Sequence, residues 1–249
     1  MWEFSLVFDN EITAQNFKAS IIQRIREVNG VITTIFTKYS YSVLLAVPIN
    51  SRKSIINFLK EKIAENVLLF YKKEYILSKL SFDISLNANM QIFLKALVVF
   101  DSDTDKQIIM ENLSLKNSLI LNSFINFKLK FLKRKWNELV SLANDNEMYF
   151  LDDTAFSELI KFLISNLEYR CYAVNIFSKK NCYLLCDFQG RNINDFLVEK
   201  SVIYDDSKLL TSLIALNPEK IIVHCNSFVK DNLLKTLYEY FSNRIEICT

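Results

Sequence analysis

Glycine, proline and histidine are nearly missing from this chain, which has two glycines, two prolines and one histidine in 249 residues. Two glycines cannot build the GxGxxG turn of a dinucleotide fold or the GxxxxGK[ST] cradle that wraps phosphates. Gly30 and Gly190 therefore read as turn residues. A lone histidine, His224, excludes a multi-histidine metal site within one chain. An excess of one charge is also missing. Thirty Lys and Arg against 28 Asp and Glu leave a net charge of +2, so attraction to nucleic acid or an anionic membrane would have to come from a local patch.

Long apolar runs are absent too. The best of them, Phe93 to Phe100, is interrupted by Lys95, and no window holds the roughly 18 uncharged apolar residues that a spanning helix needs. The N-terminus MWEFSLVFDNE carries acid where a secretory signal would be basic, so a cytoplasmic location is expected. Cysteine is missing from the first 170 residues. The five that exist, Cys171, Cys182, Cys186, Cys225 and Cys248, are an odd number, which reads as reduced thiols. Cys182 and Cys186 fall on one face if CYLLC is a strand, and their spacing is looser than a CxxC zinc knuckle. Core cysteines without a metal are the expectation.

What is present is apolar and aromatic. At 51% hydrophobic residues, with 20 Phe and 11 Tyr, the chain can bury enough surface to offset the entropy of folding. The pattern is α+β, with three closely packed parts expected: an α/β subdomain over 1–78, a helical middle over 79–150 and a second α/β subdomain over 151–249.

Trp2 to Phe8 predicts a strand, Ile12 to Val28 an amphipathic helix ended by Gly30, Val31 to Phe36 and Tyr41 to Val47 a hairpin, and Ile55 to Ile63 a second helix. In the middle, Leu121, Ile125, Leu129, Leu132, Trp136, Leu139 and Ala143 recur at helical spacing, which predicts one long helix with a buried stripe. Lys130, Lys133 and Arg134 lie on the opposite arc, flanked by Lys128 and Lys135.

Toward the C-terminus, Phe156 to Ile164 reads as a helix, and Tyr172 to Phe177 and Tyr183 to Phe188 as a hairpin. A helix capped by Asp205 to Ser207 then stops at Asn217 and Pro218. Strand Lys220 to His224, helix Leu233 to Phe241 and strand Arg244 to Cys248 form a parallel crossover, expected to be right-handed.

FINFKLKFLKRKWNELV, followed by DDTAFSELIKFLISNLEYRCYAVNIF, LLTSLIALNPEKIIVHC and the closing RIEIC, resembles the YtxC family of sporulation proteins of endospore-forming Firmicutes. The resemblance covers about the C-terminal half and implies a cytoplasmic role connected with sporulation. It carries no catalytic residue across, because none of these segments is a catalytic signature.

Three candidate sites stand out. Asp101-Ser102-Asp103-Thr104-Asp105 follows the apolar LVVF, as the DxD of Mg²⁺-dependent haloacid dehalogenase-like phosphatases follows a strand. Its fifth position is Asp105 rather than Thr or Val, and the bland alternative is a solvated acidic cap for a helix from Lys106 to Leu113. His224 and Cys225 are neighbours on a strand and point apart, so a hydrogen-bonded, partly buried histidine is expected rather than a nucleophilic pair. Lys128, Lys130, Lys133, Arg134 and Lys135, with Phe127, Phe131 and Trp136, could grip phosphates and stack bases, touch anionic lipid, or serve as a solvated helix face. The reading taken forward is a non-enzymatic protein that docks an acidic protein partner through this basic face, with no cofactor and no metal. Nucleic-acid binding by the same face and a phosphatase at Asp101 and Asp103 are the alternatives.

Overall fold

The computed structural model describes residues 1–81, 88–145, 153–179, 182–198, 203–224 and 231–248. In chain order they form β1 (Trp2–Phe8), α1 (Glu11–Glu27), β2 (Val31–Phe36), β3 (Tyr41–Val47), α2 (Arg52–Asn66), a π-helical stretch (Val67–Lys72), α3 (Lys73–Leu77), α4 (Ala88–Val99) and α5 (Ser102–Asn112). Then come β4 (Ser118–Ile120), α6 (Leu121–Lys128), α7 (Lys130–Asp145), α8 (Asp153–Asn166), β5 (Ala173–Lys179), β6 (Cys182–Asp187), α9 (Asp206–Leu216), β7 (Lys220–His224), α10 (Asp231–Phe241) and β8 (Ile245–Cys248). The architecture is α+β with two separate four-stranded sheets. The chain divides into two compact units, Met1–Ile76 with Ser102–Glu138, and Leu77–Asp101 with Leu139–Thr249, so the helices of the middle stretch 79–150 are shared between them.

The first unit is organised by strand alternation. Trp2, Phe4, Leu6 and Phe8 of β1 are buried, and register sets them beside Val47, Leu45 and Val43 of antiparallel β3. Phe17, Ile21 and Ile25 of α1 and Ile55, Leu59 and Ile63 of α2 complete this core at helical spacing. The sheet order is β2-β3-β1-β4, with β4 parallel to β1. Asn10 caps α1 by accepting from the Thr13 amide at 3.1 Å. At the other end of α1 the left-handed residue is Asn29, at φ 56°, not Gly30. Gly30 is required for a different reason: a Cβ there would meet Val47 at 2.7 Å and Ile25 at 2.9 Å.

The second unit carries the order β6-β5-β7-β8, with β5, β7 and β8 parallel and β6 antiparallel to β5. The expected parallel relation between β7 and β8 is present. Val174, Ile176, Tyr183, Leu185, Ile221 and Val223 make its buried face, against which α9 contributes Leu209, Leu213 and Ile214. Cys182 and Cys186 do share a face, but it is the other one. Cys171, Cys182 and Cys186 are half-buried and Cys248 is exposed, so none of these is a core cysteine; Cys225 lies outside the described residues.

Two expectations about the middle are corrected. The stretch from Leu121 to Leu142 is two helices, because Leu129 takes φ −104°, ψ 27° and interrupts the ladder between α6 and α7. The apolar stripe nevertheless runs through the break, with Leu121, Ile125, Leu129, Leu132, Trp136 and Ala143 all buried. The helix after Asp101 also starts earlier than Lys106, at Ser102.

Candidate functional site

The acidic run does not form an open cap. Asp101 is exposed with φ 54°, but Asp105 is fully buried on α5. Its carboxylate accepts from Lys72 Nζ at 2.9 Å and Trp136 Nε1 at 2.9 Å through Oδ2, and from Lys135 Nζ at 3.3 Å through Oδ1. Two cations and an indole N–H satisfy one carboxylate, the kind of company a buried charge requires. Lys72 ends the π-helical stretch and is itself without exposure. The segment ahead of Asp101 is helix α4, so the strand that presents the DxD motif of a phosphatase is not there. Asp101 and Asp103 thus lack the setting that reading requires.

The five basic residues separate into two groups. Lys135 turns inward to Asp105. Lys133 is half-buried, donating from Nζ to Asn126 Oδ1 at 2.9 Å and sitting 5.3 Å from the Tyr75 ring centre. From Asn126 a polar chain continues through Asn122 to Asp9, which also accepts from Tyr71 Oη at 3.0 Å. Burial first, then the charge and hydrogen bond of Asp9, hold the Tyr71 phenol well above its ordinary value.

Lys128, Lys130 and Arg134 are exposed and make no ion pair or hydrogen bond among the described residues. Phe127 and Phe131, their sequence neighbours on either side of the helix break, are 72% and 65% exposed. Trp136, grouped with these aromatics by sequence, belongs instead to the core, at 1% exposure. What remains exposed around the break is two phenyl rings and three cations without an ion pair among the described residues. By contrast Lys106, also cationic, is absorbed: burial acts to lower its pKa, but hydrogen bonds to Glu65 and Glu61 and their charges outweigh this and raise it. The signal for the bare rings was legible in the sequence, since positions 127 and 131 lie off the 121-125-129-132-136 stripe.

His224 behaves as expected, half-buried with Nε2 2.9 Å from Asn175 Oδ1 and its ring stacked on Phe177 at 4.2 Å. Among the described residues no group of three or more His, Cys, Asp or Glu side chains is placed to hold a metal ion, and no helix is long and apolar enough to cross a membrane.

Fold and surface together define a two-unit α+β chain with an exposed set of cations and phenyl rings at the α6–α7 break, and with the buried acid of its DSDTD run at Asp105 rather than at Asp101 or Asp103, the pair that sequence offered as catalytic. The profile of the YtxC-like family matches residues 51–246, and the chain belongs to that family. The match reaches back to the start of α2, well before the segments that carry the resemblance by eye. No curated protein and no solved structure matches it.

Proposed function

We propose that this chain is a non-catalytic cytoplasmic protein associated with sporulation in a Firmicute, and that the α6–α7 corner docks an acidic protein partner. The observation that carries the reading is bare rings together with free charge on one stretch of chain: exposed Phe127 and Phe131 alternate in sequence with exposed Lys128, Lys130 and Arg134, which make no ion pair among the described residues. Solvated lysines alone would need no explanation, but two exposed aromatics beside them are the composition of an interface anchor. Family membership supports the sporulation setting.

The test is charge reversal. Lys130→Glu with Arg134→Glu should abolish retention of a specific acidic partner from sporulating cells and delay spore formation, whereas Lys53→Glu, an exposed change elsewhere, should do neither. Retention of every partner and a normal spore count in the double variant would remove the proposal. Tight binding of single-stranded DNA that falls steeply with salt would replace it with the nucleic-acid reading, since stacking on the two rings and phosphate contacts to the cations use the same corner.

A further inference from the structure

The edge of the first sheet is unusually bare. β2 pairs with β3 and, among the described strands, with nothing else. Alternate backbone amides and carbonyls of an edge strand point outward unpaired. Proteins usually blunt such an edge with lysine, proline or a bulge. The sequence of β2, VITTIF, has no charge and no proline, and its six-residue register with β3 is unbroken. Its side chains are open as well, with Val31 64%, Ile35 49% and Phe36 52% exposed.

The sheet face reached by this edge is also uncovered. Register sets Val31 beside Ala46, Thr33 beside Leu44 and Ile35 beside Ser42, and Glu3 and Ser5 continue the rows on β1. A trough of about 500 Å³ lies along it, with Val31, Thr33, Leu44 and Ala46 in its lining.

We infer that β2 is a homodimer edge, pairing antiparallel with β2 of a second copy about a two-fold axis at Thr33. Directly opposed residues of an antiparallel pair share a face. Centring on Thr33 therefore sets Val31 against Ile35 of the second copy twice on the open face, and Thr33 against its own counterpart. β-branched pairs and Thr–Thr pairs are favourable cross-strand neighbours. An uncharged strand is what self-pairing demands, because any lysine or glutamate near the axis would meet its own copy. The interface is isologous and closes after two chains. Val31 and Ile35 are the exposed apolar side chains on that face, and Phe36 lies on the other. Even with the backbone ladder the pair stays below about 1,200 Å², the range of weak and transient interfaces, so dissociation is expected in the micromolar range.

Sedimentation equilibrium of the full chain from about 1 to about 200 µM, concentrations bracketing such an affinity, tests this. The wild type should move from monomer to dimer. Thr33→Lys, which brings two ammonium groups together at the axis, should raise the dissociation constant more than tenfold with an unchanged circular dichroism spectrum. Should that variant fail to fold, Thr33→Cys and Thr34→Cys decide instead: the first should oxidise to a covalent dimer much faster than the second, with the native cysteines common to both. A wild type that stays monomeric throughout, a dimer indifferent to Thr33→Lys, or equal cross-linking at 33 and 34 would overturn the inference. Lys130→Glu with Arg134→Glu should leave the dimer intact, so failure of the docking reading and failure of this one are separable.

Discussion

Lys72 Nζ and Asp105 Oδ2 meet at 2.9 Å with neither side chain exposed, 33 residues apart in sequence. Removing one member of a buried pair leaves the other charge without its counterpart, at a cost of about 3–5 kcal/mol. The two members are not equivalent. Asp105 answers Lys72, Lys135 and Trp136 together, whereas Lys72→Met leaves Asp105 with the other two. Asp105→Asn should therefore lose about 3–5 kcal/mol in urea unfolding, and Lys72→Met, which leaves the carboxylate two of its three donors, less than Asp105→Asn. An Asp105→Asn protein within about 1 kcal/mol of wild type, below the cost of one unmade buried hydrogen bond, would show that the cluster contributes little to stability.

This pair also marks where sequence stops being informative. β1, β2, β3 and β7 occupy the residues their alternation predicts, and the Asn217-Pro218 stop ends α9, because period and punctuation are local properties. Asp105 is different. DSDTD reads locally as a water-facing cap, and nothing near it announces Lys72 or Trp136, which only the tertiary fold delivers. β4 was missed for a related reason: three residues are too few to show alternation, and its partner Ser5 lies 113 positions away. The break at Leu129 carries no glycine or proline to signal it, yet it falls between Phe127 and Phe131. The basic cluster was legible as a set, but which lysines turn inward was not.

Cys171 and Cys248 should differ sharply in reactivity. Burial first, and then Asp195, push the Cys171 thiol from 9.0 up to about 11, against the opposing pull of Arg170. Thiolate is the nucleophile, so a two-unit rise leaves about a hundredth of the ordinary thiolate at pH 8. Iodoacetamide at pH 8, read by peptide mass mapping, should modify exposed Cys248 long before Cys171. The sign for stability follows from the same shift. A raised folded-state pKa contributes stability that is present below pH 9.0 and is lost as pH climbs toward about 11, so Cys171→Ser should flatten that alkaline loss. Equal alkylation of the two thiols at pH 8 would contradict the burial of Cys171.

Asn217 joins a backbone requirement to a side-chain one. It ends α9 in the left-handed region at φ 36°, ψ 63°, and it is fully buried. Its Nδ2 donates to the Leu167 carbonyl at 2.8 Å, and its Oδ1 accepts from Arg244 Nη1 at 2.6 Å. Asn217→Gly keeps the backbone easy but removes the side-chain bonds, including a longer one from Nδ2 to the Glu168 carbonyl and the one to charged Arg244, for a loss of about 2–4 kcal/mol. Asn217→Ala loses the same bonds and adds the left-handed penalty, about 1–2 kcal/mol more. Urea denaturation of the two variants separates the contributions: their difference measures the backbone, and the glycine variant alone measures the clasp that holds Arg244 over the Tyr169 ring at 4.7 Å. Were glycine to stabilise relative to asparagine, the clasp would be shown to contribute nothing, and the residue would be explained by its φ alone.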